Sequence, residues 1–413
     1  MNRTQTTVGA LALFSIVGLA TAEHPTRYHV VPLGSIPSSN ICPCFFPQGV
    51  DDVGGVSGMF FNASGFRHTF YWDGDSMIDI GTLGGEDAVP RGMGPDGSIV
   101  GYSDTGGNPQ RAFYYKDGVM TDLGTLGGVF SVANAANAFG QVVGNANRPE
   151  PDYYYHAFLW QNGEMTDLEA FGGEFSSAEG INDYGEVVGW AWDADRDRHA
   201  FLWTQHAGLT DLGLFGGIGS NAVDINNAGQ VVVQVLTANS EQKAYLWQAG
   251  SSMDLGRLSN AGIDPSNYGT PSLVNTIPSD INNYGQIVGT ADPEPADSLP
   301  GPFIWQNGQI SNLNDLIDLS AGWVIRYATS INDAGEIVAT ARLDGQGSYA
   351  VMLTPYCVVD LAPPQGVLDF TDVTSFLAAF AAQEFDADLA PPIGVHDFSD
   401  IVAFLSVFAG GCQ

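Results

Sequence analysis

The chain has 413 residues and sets 13 lysines and arginines against 46 aspartates and glutamates, a formal charge of −33 at pH 7. So acidic a surface repels phosphate backbones and anionic membranes, which excludes nucleic acid as an expected partner and favours metal cations, a salty medium or neutral glycans. Glycine, at 52 residues, exceeds its usual share of about 7%, but it falls at fixed places in a repeat and reads as turn chemistry rather than disorder.

Residues 1–22 read as a secretory signal: Arg3 supplies a positive start, residues 8–19 an apolar stretch, and Ala20-Thr21-Ala22 an A-x-A cleavage site. The mature chain is therefore expected to be secreted and extracellular or associated with the cell surface. No later stretch reaches the roughly 18 apolar residues that a span requires, so no membrane span is expected. Tyr28 to Gly34 (YHVVPLG) has the character of a strand. Cys42-Pro43-Cys44 follows. Alternate strand residues point to opposite faces, so a local disulfide between Cys42 and Cys44 needs a turn, which Pro43 permits.

One pattern then recurs to about residue 355: a turn I-N-x-x-G, a short apolar run, a run like H-A-F-L-W, and T-D-L-G. The clearest copy runs INDYGEVVG (181–189), HAFLW (199–203) and LTDLGLFGG (209–217), and the next opens at 225, a period of 44 residues. Strand-like runs every 43 to 58 residues, punctuated by glycine, predict propeller blades. Within a unit, alternation on both sides of the Asn-Gly turn predicts a hairpin, with the Asn side chain bonding the backbone two residues on. The H-A-F-L-W run and T-D-L-G complete four antiparallel strands, A to D from the centre outward. Seven A–B pairs are present, but the last unit lacks strand D, and the segment from Tyr28 can supply it. The expected fold over residues 27–355 is thus an all-β, seven-bladed propeller of four-stranded antiparallel blades closed by the N-terminal strand. The in-register tryptophans 72, 160, 203, 247 and 305, the aspartates of strand D and His68, His156 and His199 are expected to be structural. This repeat resembles the HAF family of extracellular repeats, named for the motif standing here at 156–158 and 199–201. The resemblance covers about residues 49–355 and implies secretion and a repeat fold, with no established activity or catalytic motif.

After Tyr356 the period changes to 28 residues. Val373, Phe376, Leu377 and Phe380 share one helical face, and Ile401, Phe404, Leu405 and Phe408 repeat that spacing, so residues 356–413 are expected to form two loop–helix units packed face to face. This tail resembles a GC-type dockerin, an EF-hand-related module. The resemblance implies calcium as a cofactor and a cohesin-like or cell-surface protein as partner. Its candidate ligands are Asp360, Asp369, Asp372, Asp388, Asp397 and Asp400. The loops depart from the EF-hand pattern, because Ala362, Pro364, Ala390 and Pro392 stand where oxygen ligands belong. The same acids also suit helix N-caps and first turns. Cys357 and Cys412 bracket the tail and are expected to form a disulfide, which contributes about 4 kcal/mol on a chain-entropy account.

No nucleophile elbow, metal-protease helix or phosphate loop is present. Function is expected where the repeats differ, at the B–C and D–A connections, which emerge on one face. The insertions at 145–155, 190–198, 257–279 and 290–300 belong to these connections. Tyr153, Tyr154, Trp190 and Trp192 beside Asp193, Asp195 and Asp197 form a candidate platform for a sugar or a basic peptide, with Glu294 and Asp297 on a further insertion. The reading is a secreted non-catalytic propeller that binds or displays a carbohydrate or protein ligand and is anchored by its tail. The alternative is a carbohydrate-active enzyme, a glycoside hydrolase or lyase carrying the same tail.

Overall fold

A computed structural model describes residues 27–34, 45–107, 109–151, 154–258, 275–291, 301–343, 347–356, 370–384, 387, 389, 396 and 400–405. Residues 1–22, all four cysteines, Tyr153, Asp360, Asp369, Asp388, Asp397, Glu294 and Asp297 lie outside them.

Arg27–Tyr356 forms one compact unit. Its described strands make seven sheets of four antiparallel strands each, a seven-bladed β-propeller. The inner A strands are Phe46–Val50, Gly84–Met93, Ser131–Ala136, Gly172–Ile181, Gly219–Ile225, Thr276–Ile281 and Trp323–Ile331 in blades 1 to 7. In blade 7 the outermost strand is Arg27–Pro32, which pairs antiparallel with Ser348–Tyr356, Arg27 opposite Tyr356 and Pro32 opposite Val351. The ring is thus closed by joining its two ends in one sheet, as the missing strand D predicts.

The core lies between blades. Val288 and Ile304 of blade 6, for example, pack with Ile325 and Ile331 of blade 7 and with Tyr28 of the closing strand. In five of the seven sheets a central phenylalanine of strand C packs over strand B. Phe70, Phe113, Phe158, Phe201 and Phe303 are completely buried. Each stands opposite a strand-B glycine, namely Gly58, Gly101, Gly144, Gly189 and Gly289. A Cβ on Gly189 would lie 2.0 Å from the carbonyl oxygen of Ser177, so this glycine admits the close approach of strand A. Blade 5 breaks the pattern with Val233 opposite Tyr245, and blade 7 with Ala339 opposite Val351.

The second unit contains the helix Phe370–Ala382 and a helical segment at 400–405. The two elements meet through Phe376 and Phe404, whose rings stack at 4.0 Å. Among the described residues, no helix is long and apolar enough to cross a membrane.

Candidate functional site

The repeated polar residues hold the blades together. In strands C and D, His68 meets Asp79, His156 meets Asp167 and His199 meets Asp211 at 2.7 to 3.0 Å through Nδ1. Blade 5 substitutes Lys243, whose Nζ donates to Asp254 at 3.2 Å. Each aspartate also accepts the backbone N–H two residues on, through the other oxygen at Asp79, Asp211 and Asp254, as Asp211 does from Gly213 at 2.7 Å, where φ is +90° and glycine is the residue that fits. The turn asparagines do two jobs. Asn226 Oδ1 accepts from Ala228 and Gln230, closing its own turn, while its Nδ2 donates to the carbonyl of Asn282 in the next blade at 3.0 Å. The same inter-blade bond runs from Asn137 to Asn182, Asn182 to Asn226, Asn282 to Asn332 and Asn332 to Asp51.

The predicted platform is only partly a loop. Strand B of blade 4 runs Val187–Asp193 and strand C begins at Arg198, so Trp190 and Trp192 belong to the sheet rather than to a connection. Two residues apart, they share a face of the strand. Phe175 from strand A meets Trp192 at 4.9 Å, and Tyr154 and Tyr155 of blade 3 meet Phe175 at 5.3 and 4.8 Å. Tyr155 also contacts Trp190 edge-on at 6.2 Å, and the Arg198 guanidinium lies 4.6 Å from the Trp190 ring centre. All five aromatic side chains are partly buried, so they form a half-buried cluster along the seam of two blades rather than an exposed platform.

Beneath it, Trp190 Nε1 donates to Glu179 Oε1 at 3.0 Å. Burial pushes the Glu179 carboxyl above its ordinary value, opposed by hydrogen bonds from Ser177 and Trp190 and by the charges of Arg198 and Arg91. Of the predicted residues, Tyr154, Trp190 and Trp192 therefore come together. Asp193 borders them, but one of its oxygens accepts from the N–H groups of Asp195 and Asp197, both at 2.9 Å, and so shapes the turn. Asp195 and Asp197 are exposed on that turn. Sequence reasoning missed Tyr155, Phe175, Arg198 and Glu179.

A second site was not anticipated. The inner strands and A–B turns surround an axial cavity of about 370 Å³. Two residues before the first turn residue, successive blades carry Gly49, Gly92, Ala135 and Gly180, then Asp224, Asp280 and Ser330. Asp280 accepts from Ser330 Oγ at 2.6 Å and from the N–H groups of Ile281 and Ile331 at 2.7 and 2.9 Å. Asp224 is hydrogen-bonded to Asp280, and burial followed by the charge of Asp280 pushes its carboxyl well above the usual range. Burial and the neighbouring charge favour the protonated form of Asp224, which then donates to Asp280. At the cavity mouth Asn227 donates to Asp183 and Asn283 to Asp333, both at 2.8 Å, in a ring of turn side chains. Among the described residues no group of three His, Cys, Asp or Glu is placed to hold a metal ion. Asp372 and Asp400 of the tail are buried, and Asp400 accepts from the Leu389 N–H at 2.7 Å.

A family described as a protein of unknown function (DUF3466) matches residues 216–352, which lie within blades 5 to 7. No curated protein matches the chain. Among solved structures, a puromycin hydrolase mutant complexed with PGG is 13% identical, with a TM-score of 0.53 over 77% of this chain and 54% of that one. A puromycin-hydrolyzing peptidase of Mycobacterium tuberculosis is 12% identical, with a TM-score of 0.50 over 78% of this chain and 54% of the other. A lectin of Aleuria aurantia in complex with α-methyl-L-fucoside is 12% identical, with a TM-score of 0.32 over 80% and 97% of the two chains. At these identities the two hydrolases share the fold alone. The chain spans about half the length of the hydrolases it matches.

Proposed function

We propose that the protein is a secreted, non-catalytic propeller that binds carbohydrate at the aromatic seam between blades 3 and 4. The observation that carries this reading is the convergence of Tyr154, Tyr155, Phe175, Trp190 and Trp192 from two blades around Arg198 and Glu179. Rings with an apolar face and a polar edge suit the alternating C–H and hydroxyl surface of a sugar, and the arginine and carboxylate supply directional hydrogen bonds. HAF-type repeats and the signal at 1–22 support an extracellular setting. The tail is proposed to anchor the propeller to a cohesin-like or cell-surface protein, with weak calcium binding by its six aspartates and disulfides at Cys357–Cys412 and Cys42–Cys44.

Purified mature protein passed over immobilised polysaccharides tests the reading. A retained glycan should lose affinity by about tenfold, near 1.4 kcal/mol, in Trp192→Ala, which spares the Trp190–Glu179 bond. Unchanged retention in this variant would remove the seam as the site. Release of reducing sugar would instead establish the hydrolase alternative. The acids of the axial cavity do not favour that alternative: Asp224 and Asp280 are directly hydrogen-bonded, closer than the ~5 Å or more separating paired glycosidase carboxylates.

A further inference from the structure

The A–B turns carry an apolar rim that the fold does not require. At the second residue past the start of the turn, blades 1, 3, 4 and 6 bear Val53, Phe139, Tyr184 and Tyr284, which are 90%, 74%, 77% and 77% exposed. Blades 5 and 7 make the same turn with Ala228 and Ala334, so a large side chain there contributes nothing to turn formation. Single exposed apolar residues are ordinary, but here four recur at one repeated position around one opening, interrupted by Asp96 in blade 2 and by the two alanines. Immediately inside it, Asp52, Asp183 and Asp333 line the mouth of the axial cavity, and Asp224 and Asp280 lie deeper. Arg91 is the one basic residue among the described lining. This rim is built from the A–B turns, whereas the aromatic seam lies where the B–C and D–A connections emerge.

We infer that the A–B face docks a protein partner that presents an arginine or lysine within an apolar segment, the cation entering the acidic mouth and its apolar neighbours resting on the rim. Charge decides the class of occupant. A glycan brings no positive charge to this mouth, and a second copy would set two acidic openings against each other on chains of −33 each. Aromatic anchors surrounding a charged centre also match the composition of binding hot spots.

The test uses the full-length mature chain and a fluorescein-labelled, leucine-rich peptide with one central arginine, followed by anisotropy. Its analogue with glutamate in place of arginine is the charge control. Phe139→Ser, Tyr184→Ser and Tyr284→Ser combined should leave the thermal midpoint close to that of the parent, because exposed substitutions cost within about 0.5 kcal/mol each. The arginine peptide should bind the parent, bind the triple variant at least about tenfold more weakly, and weaken with salt in both. The glutamate analogue should not bind. Equal affinity for parent and variant, equal binding of the two peptides, or no binding to the parent would overturn the inference. So would a parent dimer in sedimentation that dissociates in the variant, since the rim would then serve self-association. Glycan retention by the variant reports separately on the aromatic seam.

Discussion

Asp224 and Asp280 place two carboxyl groups in contact across neighbouring blades, and their proton couples pH to stability. The folded-state value of Asp224 is raised above the unfolded value near 3.8. Its contribution is therefore complete below that value and is lost as pH rises through the raised folded value. Asp224→Asn replaces the proton-bearing oxygen with an amide that donates to Asp280 at every pH. Relative to the parent, this variant should gain stability as pH rises from about 4 towards neutrality, each unit of displaced pKa amounting to about 1.4 kcal/mol. Denaturant midpoints at a series of pH values measure the difference, and a gap that does not change with pH would show that the two carboxyls do not share a proton. This pair was hidden in the sequence because Asp224 and Asp280 occupy a place where four other blades carry Gly or Ala. Only the curvature of the ring brings that place in adjacent blades within hydrogen-bonding distance.

Strand-B glycines show what the repeat encodes about the sheet. Gly189 faces Phe201, and a methyl group at Gly189 would collide with the Ser177 carbonyl, a backbone atom that cannot rotate away. Gly189→Ala should therefore destabilise the propeller by about 1–3 kcal/mol, the usual cost of overpacking. Gly107→Ala, where a Cβ meets no atom within 4 Å, is the matched control and should change the denaturation midpoint little. If both variants unfold alike, close packing of strand A is not the reason for the glycine. At this scale the strands, turns and register were legible, because a side-chain period of two and an Asn-Gly turn leave few alternatives. The aromatic seam was legible only in part. The string from Trp190 to Arg198 reads as an insertion because its second half is charged, yet strand pairing with Arg198 continues through Trp192. Phe175 and Tyr155 carry no local signal, since their meeting depends on how blade 3 stacks on blade 4.

At the scale of the whole molecule, stability depends on closure. Each blade buries its faces only against its neighbours, so an open ring would leave two faces and an edge exposed. Closure here combines the core in which Val338 and Met352 of blade 7 pack with Val50 and Val56 of blade 1 with three further contacts. Arg27–Pro32 completes the sheet of blade 7, Tyr28 is 2% exposed in the core beside blade 6, and Asn332 of blade 7 donates to the Asp51 carbonyl of blade 1. The need for this closure was readable from the count of strands, six D strands for seven A–B pairs, whereas the asparagine bonds from blade to blade were not. Those bonds depend on the distance between turns in adjacent blades, which a linear repeat does not specify. Removing residues 27–32 from the mature chain should cost about 4 kcal/mol or more, from Tyr28 alone about as much as an aromatic truncation and from the unpaired ladder the remainder. The loss should be local before it is global. In hydrogen exchange, protection should fall first in Ser348–Tyr356, which loses its partner strand, and in the flanking blades 1 and 6. Blade 4, across the ring, should keep its protection until the whole propeller unfolds. Uniform loss in every blade would mean that the seven sheets unfold as one cooperative unit and that the N-terminal strand is one bond among many.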